Sequence, residues 1–152
     1  HKKMKLFNYV MTAALVSAVL FTSCKKKDDD NASPNPPAQS AGFYYGENGT
    51  STLTKADSSW VNGAFNTIIA QTGGSTVVEI NLTGITAQGY SLGTTNSLTY
   101  IKNGSFWATT AGTVTITKNQ DSKLSGTFSA TAGGGVSGVT SFSGNFTDIP
   151  IK

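Results

Sequence analysis

Arginine is absent from this chain, and histidine and cysteine occur only as His1 and Cys24. Binding to nucleic acid needs a clustered basic face that displaces counterions from phosphates. Arginine is the side chain that usually makes bidentate hydrogen bonds to phosphates and bases. A lone cysteine can form no internal disulfide. We therefore expect no nucleic-acid partner, and the compartment has to be inferred from the N-terminal segment.

The scarcity of histidine limits the possible chemistry further. His1 lies in the segment that we expect to be removed, so the mature chain would carry no histidine and no second cysteine. Histidine-based triads, Cys–His pairs and the usual zinc and copper sites are then excluded. We predict no metal site, no cofactor and no enzymatic activity.

The basic character of the chain comes from its first residues. The formal charge is +3, but Lys2, Lys3 and Lys5 precede Cys24, and the remaining lysines equal the 8 acidic residues in number. Residues 1–5 are basic and residues 6–21 are mostly apolar, which is typical of a secretory signal. The apolar run is shorter than the roughly 20 residues of a membrane-spanning helix. We predict a signal peptide over residues 1–23, with a transmembrane anchor as the alternative.

Cys24 directly follows this segment in the motif LFTSC. The motif resembles the bacterial lipoprotein signal, or lipobox, although Phe21 stands where the usual lipobox has leucine. The resemblance implies cleavage before Cys24 and attachment of lipid to its thiol, which is a good nucleophile. Two or three acyl chains then anchor a protein to a membrane lastingly. The alternative is a free, buried cysteine.

Three lysines and three aspartates come next. They are Lys25, Lys26, Lys27, Asp28, Asp29 and Asp30. Charge runs are usually solvated spacers, but this run resembles the surface-export signal of Bacteroidota lipoproteins. That resemblance implies a lipid-anchored protein of the outer membrane, displayed on the cell surface, with the periplasmic face as the alternative. Residues 31–40 are polar and rich in proline, so we predict a disordered tether over residues 24–40.

Residues 41–152 have the pattern of an all-β domain. The segment TVVEINL, residues 76–82, places Val78 and Ile80 on one face and Glu79 on the other, and this period of two recurs along the chain. Turn motifs rich in Asn and Gly separate the segments. We predict an antiparallel β-sandwich or a small flattened barrel of about 8–10 short strands. A single helical turn near residues 56–61 is an option that only Asp57, as a candidate cap, supports. The predicted strands are 43–46, 50–55, 64–71, 76–84, 88–92, 97–102, 105–110, 112–118, 123–131 and 138–147.

A short motif occurs twice near the C-terminus, as LSGTFS at 124–129 and FSGNFT at 142–147. We interpret the two copies as the arms of one hairpin, in which Gly126 and Gly144 leave room for a bulky neighbour such as Trp107. The alternative is coincidence, since Gly and Ser are common here. The stretch AGTVTITKNQDSKLSGTFSA, followed by SFSGNFTDIP, resembles the ending of small uncharacterised Bacteroidota lipoproteins. This resemblance covers roughly residues 76–150, implies an all-β fold and assigns no activity.

Aromatic side chains are the strongest candidates for binding. Neighbours in a strand point to opposite faces, so Phe106 and Trp107 cannot both enter one core. Exposed rings stack on sugars or contact proteins. We predict ligand contacts by Tyr44, Trp60 and Trp107, with core packing as the alternative.

The sequence thus favours a lipid-anchored binding or structural module that contacts a glycan or a protein. One alternative is an accessory subunit of an outer-membrane complex, which predicts a flat apolar patch. Another is a small hydrolase, which needs two carboxylates facing one cleft about 5–10 Å apart. Its candidates are Glu47, Asp57, Glu79, Asp121 and Asp148.

Overall fold

The computed structural model describes residues 39–109 and 111–152. These residues form eleven β-strands and no helix. The strands are β1 (Gly42–Glu47), β2 (Thr54–Lys55), β3 (Ser58–Asn62), β4 (Thr67–Thr72), β5 (Ser75–Asn81), β6 (Gly89–Leu92), β7 (Ser97–Lys102), β8 (Ser105–Ala108), β9 (Ala111–Gln120), β10 (Lys123–Thr131) and β11 (Ser141–Pro150).

The strands build two antiparallel sheets. Sheet A has the order β2-β1-β11-β10-β9-β6, and sheet B has the order β3-β4-β5-β7-β8. The inner faces of the sheets meet in one core, in which Tyr45 of sheet A contacts Tyr100 of sheet B at 5.9 Å between ring centroids. The predicted β-sandwich is confirmed, and the flattened-barrel alternative is wrong because the sheets do not close on each other.

Alternation along each strand fills the core, because successive side chains point to opposite faces. Val78 and Ile80 of β5 are fully buried, while Glu79 between them is partly exposed. The same parity brings aromatic rings from both sheets together around Phe142, which stacks on Tyr100 with a centroid distance of 4.4 Å. The rings in this cluster are Phe43, Tyr45, Tyr100, Trp107, Phe128, Phe142 and Phe146.

The two copies of the repeated motif are confirmed as arms of one antiparallel hairpin, β10 and β11. Their register sets Gly126 opposite Phe146 and Gly144 opposite Phe128. Each glycine therefore makes room for the phenylalanine of the other copy. The prediction that these glycines accommodate Trp107 is wrong, since the Trp107 ring packs against Gly133 in the loop before β11.

The segment after β1 differs from the prediction. The helical-turn option near residues 56–61 is wrong, and the edge strand β3 occupies most of that segment. The chain crosses between sheets here, because Ala56 N–H donates to the Phe43 carbonyl of sheet A while Asp57 N–H donates to the Gln71 carbonyl of sheet B. Strand β2 is accordingly only two residues long.

The final strand extends further than the sequence pattern indicates. A bulge at Asp148, which has a φ of 46°, shifts the inward positions from Phe146 to Ile149. The Asp148 N–H donates to the Ser125 hydroxyl at 2.9 Å, which stabilises the bulge. The period of two is broken at this point, so the strand continues to Pro150 instead of ending near residue 147.

Candidate functional site

The three residues predicted to contact a ligand do not lie together, because Tyr44 and Trp60 are on the outer faces of different sheets and Trp107 is buried. Tyr44 lies on the outer face of sheet A, where its hydroxyl donates to the Ser40 carbonyl at 2.9 Å. Trp60 lies on the outer face of sheet B, with the Lys152 ammonium 5.0 Å from its ring centroid. The structure therefore forms no shared binding surface from these residues.

Trp107 is in the core. Its side chain is 0% exposed, and its indole N–H donates to the Val139 carbonyl at 2.9 Å. The prediction that Trp107 contacts a ligand is wrong, and its neighbour Phe106 is the exposed member of the pair. Because neighbours in a strand point to opposite faces, either Phe106 or Trp107 had to face outward, but the sequence did not indicate which one. Cys24 and the charged run at residues 25–30 lie outside the described residues.

A polar cluster joins the two sheets at the end of β1. Glu47 is the last residue of β1 and has the same inward parity as Phe43 and Tyr45. Its carboxylate Oε1 accepts hydrogen bonds from the Tyr100 hydroxyl at 2.6 Å and from Lys102 Nζ at 2.8 Å. Lys102 also donates to Oε2 at 2.9 Å. A carboxylate from sheet A is thus held by two residues of sheet B.

These contacts shift the acid–base properties of the cluster. Burial would raise the pKa of Glu47, but the hydrogen bonds from Lys102 and Tyr100 outweigh it, so the pKa lies below its ordinary value. Burial and the adjacent Glu47 carboxylate both raise the pKa of the Tyr100 hydroxyl. At neutral pH Glu47 is therefore a carboxylate and Tyr100 a neutral phenol.

The cluster borders an open cleft of about 360 Å³. Tyr45 and Tyr100 form its floor, and the segment that follows β1 forms one wall. Its lining residues are Tyr45, Gly46, Glu47, Thr50, Thr52, Thr54 and Tyr100. We call this the Glu47 cleft. Within the described residues, the hydroxyls of Thr52 and Thr54 have no hydrogen-bond partner in the protein.

Asn48 fixes the start of the loop that forms this wall. Its φ of 53° turns the chain, and its Oδ1 accepts hydrogen bonds from the Thr140 N–H at 2.9 Å and the Thr140 hydroxyl at 3.0 Å. Its Nδ2 donates to the Gly138 carbonyl at 2.7 Å. The loop after β1 is thereby tied to the segment that precedes β11.

Sequence reasoning placed Glu47 in a turn and missed its role. The missed signal is parity, because Glu47 continues the inward row of Phe43 and Tyr45, and Lys102 continues the inward row of Leu98 and Tyr100. Charged side chains on inward rows need partners, since an unpaired buried charge is costly. Opposite charges at the ends of two such rows are therefore candidates for partners, although the sequence does not show which rows meet.

A second, smaller cleft of about 220 Å³ lies at the beginning of β1. Asp57 and Asp148 both line it, next to Gly42 and Lys55. Asp57 Oδ2 accepts the Gly73 N–H at 2.7 Å, and Asp148 Oδ1 accepts a hydrogen bond from Lys118 Nζ at 3.0 Å. The Lys118 ammonium lowers the pKa of Asp148.

Among the described residues, no group of three or more His, Cys, Asp or Glu side chains could hold a metal ion. No helix in the described ranges is long and apolar enough to cross a membrane.

An antiparallel β-sandwich with a polar cleft between its sheets defines the class of this protein. Residues 48–150 match the family described as Domain of unknown function (DUF6252). This match spans more than half of the chain, and the chain belongs to that family. No curated protein and no solved structure matches it.

Proposed function

We propose that this protein is a lipid-anchored lipoprotein of the bacterial outer membrane, displayed on the cell surface, whose β-sandwich binds a glycan in the Glu47 cleft. The LFTSC motif supports the anchor at Cys24, and the lysine–aspartate run supports export to the surface. The Bacteroidota origin of such lipoproteins is part of this proposal.

The observation that carries the proposal is the arrangement of β1. The chain enters the sandwich at Gly42, the first residue of β1, and Glu47 is the last residue of the same strand. A strand of six residues spans roughly 17 Å. The Glu47 cleft therefore lies at the opposite end of β1 from Gly42.

The cleft favours a binding role over hydrolysis. A general acid needs a carboxyl whose pKa is raised toward neutrality. In Glu47 and Asp148, lysine partners lower the pKa instead. Asp148 and Asp57 share the smaller cleft, but both carboxylates already accept hydrogen bonds from the protein. The carboxylates therefore serve as fixed hydrogen-bond acceptors.

The exposed apolar residues do not favour a flat protein partner, so a glycan in the cleft is the better supported ligand. Phe65 and Phe106 are the large apolar side chains that are exposed in the described residues, at 73% and 61%. Phe65 precedes β4 and Phe106 lies in β8, so they are separated by about 14 Å across the strands of sheet B. Two rings so far apart do not make the contiguous patch that an accessory subunit would need.

The anchor is tested by mass spectrometry on membrane-extracted full chain expressed in a bacterium with a lipoprotein pathway. We expect an N-terminal Cys24 carrying lipid, and surface protease treatment of intact cells should release the sandwich. Cys24→Ser and Cys24→Ala should both lose the lipid. An unlipidated mature wild-type chain would refute the anchor, and protection from protease on intact cells would refute surface display.

Glycan binding is tested by affinity electrophoresis of the detergent-solubilised full chain through gels that contain neutral or acidic polysaccharides. At least one polysaccharide should retard the wild type, and Thr52→Trp, which fills the cleft, should abolish the retardation. Thr127→Trp is the matched control, because Thr127 is exposed on the outer face of sheet A. Retardation that survives Thr52→Trp excludes the Glu47 cleft, and no retardation at all excludes glycan binding.

A further inference from the structure

The hydrogen bonds around Glu47 leave a defined set of free positions. A carboxylate accepts about four hydrogen bonds, and the Glu47 carboxylate accepts those from Tyr100 and, twice, from Lys102. One acceptor position remains, on Oε2. The Lys102 ammonium has three N–H donors and uses two of them here, so one donor remains. The site thus offers one acceptor and one donor side by side.

The charges of this site cancel locally. Glu47 is the one charged residue among those that line the cleft, and Lys102 neutralises it through both carboxylate oxygens. The side chains of Lys102 and Glu47 are 41% and 27% exposed, so both are open to solvent, and Lys102 adjoins the cleft through its contacts with Glu47. An anion would compete with Glu47 for Lys102, and a cation would compete with Lys102 for Glu47. A neutral group that both donates and accepts hydrogen bonds disturbs neither residue.

Ring stacking is not available as an alternative mode of recognition. Tyr45 and Tyr100 form the floor but are only 9% and 6% exposed. Their faces are occupied, because each ring packs on the other and on Phe142. The remaining polar side-chain groups that line the cleft include the Tyr100 hydroxyl, which already donates to Glu47, and the free hydroxyls of Thr52 and Thr54.

We infer that the Glu47 cleft binds an uncharged, hydroxyl-rich sugar unit through hydrogen bonds to the Glu47–Lys102 pair and to the threonine hydroxyls. This inference rests on the proposed function and specifies its ligand. Sugar hydroxyls both donate and accept, so one hydroxyl can occupy the free Oε2 position while another accepts from Lys102. The volume lies at the lower end of ligand pockets, which hold about 300–1,000 Å³. The cleft therefore fits a small sugar or the end of a longer chain.

The experiment compares sugars that differ in charge. Glucose, glucuronate and glucosamine form one series, and galactose, galacturonate and galactosamine form the second. Each sugar is titrated into isotope-labelled, detergent-solubilised full chain, and the backbone amide signals of Gly46 and Thr52 are followed by NMR. We expect the neutral member of at least one series to shift these signals, with a dissociation constant about tenfold or more below those of its charged relatives.

Two substitutions should invert this preference. Lys102→Met leaves the carboxylate unneutralised and should favour the amino sugar, while Glu47→Gln leaves the ammonium unpaired and should favour the uronate. Lys118→Met and Glu79→Gln are the matched controls, since Lys118 pairs with Asp148 and Glu79 accepts a hydrogen bond from Asn81, and they should keep the wild-type preference. Circular dichroism spectra and urea midpoints establish that each variant is folded.

The outcomes separate this inference from the proposed function. Stronger binding of a uronate or an amino sugar by the wild type overturns the neutral-ligand inference but leaves glycan binding intact. No shift at Gly46 or Thr52 with any sugar also overturns it, and the polysaccharide gels then decide independently whether the protein binds glycans. Loss of binding in the matched controls would overturn the assignment to the Glu47–Lys102 pair.

Discussion

Gly126 lies directly opposite Phe146 in the β10–β11 pair, and the Phe146 ring fills the space that a β-carbon on Gly126 would need. An added β-carbon would lie 2.6 Å from the ring's Cζ atom, well inside van der Waals contact, and would also clash with the backbone carbonyl oxygen of Thr115 on the neighbouring strand. The same relationship holds between Gly144 and Phe128, in which the distance would be 2.7 Å. The repeated motif thus encodes reciprocal packing between its two copies.

Gly126→Ala should destabilise the fold by about 1–3 kcal/mol, because the core has no room for another carbon. Urea denaturation measures the change in the free energy of unfolding. Gly89→Ala in strand β6 is the control, since its nearest neighbour would be Thr113 Cγ2 at 3.9 Å. Equal stability of the two alanine variants would contradict this packing.

Trp107→Phe should destabilise the protein by about 1–3 kcal/mol, because the buried Val139 carbonyl loses its hydrogen-bond donor. Phe106→Ser, at the adjacent exposed position, should change the free energy of unfolding by no more than about 0.5 kcal/mol. Thermal and urea unfolding compare the two variants. A ligand-binding defect in folded Trp107→Phe would instead revive the sequence-based assignment of Trp107.

Asn48→Ala should cost about 1–3 kcal/mol, because it removes the hydrogen bonds to Gly138 and Thr140. Asn103→Ala separates this effect from backbone strain, since Asn103 has a similar positive φ of 50°. The difference between the two unfolding free energies then reports the side-chain contacts of Asn48. Similar losses in both variants would mean that these contacts contribute little.

Stability should fall in acid in a way that depends on Glu47. The pKa of Glu47 is lower in the folded chain than its ordinary value of 4.5, so unfolding takes up a proton. The stabilisation by the charged form is complete above about pH 4.5 and is lost as pH falls through the lower, folded pKa. The difference in unfolding free energy between wild type and Glu47→Gln should therefore shrink below this pH. A pH-independent difference would contradict the prediction.

Tyr100 should produce the opposite effect in alkali. Its pKa is raised above the ordinary value of 10.0 in the folded chain, so unfolding releases a proton at high pH. Stabilisation is complete below pH 10.0 and is lost as pH rises toward the folded pKa. Tyr100→Phe lacks this titration, and its urea midpoint should decline less than that of the wild type above pH 10.0. A matching decline in both proteins would exclude Tyr100 as the cause.

Most of the fold follows from local alternation of side chains. Strands β7 and β10 have the predicted bounds, because each buries every second residue without interruption. Strand β3 was not predicted, because this edge strand buries only Val61 and so lacks an alternating apolar pattern. The C-terminal end of β11 was not predicted, because the bulge at Asp148 shifts the inward positions by one residue.

The candidate site was harder to predict, because it depends on two strands in different sheets. Glu47 and Lys102 are distant in sequence, and only the stacking of sheet A on sheet B brings their side chains to 2.8 Å. The alternation of side chains along a strand predicts that Glu47 and Lys102 both face inward. It does not show which inward-facing rows of residues end next to each other. The sequence therefore contained the two charges but not their pairing.

The position of Gly42 and Glu47 at opposite ends of β1 also has a mechanical consequence. A pull between an anchored tether and a molecule held at Glu47 would be transmitted along this one strand. Strand β1 is bonded to β11 over its whole length, from Gly42 opposite Thr147 to Glu47 opposite Phe142. The hydrogen bonds of an antiparallel pair lie perpendicular to the strands. Because such a pull acts on both ends of the same strand, it would stretch the β1 backbone and would not separate β1 from β11.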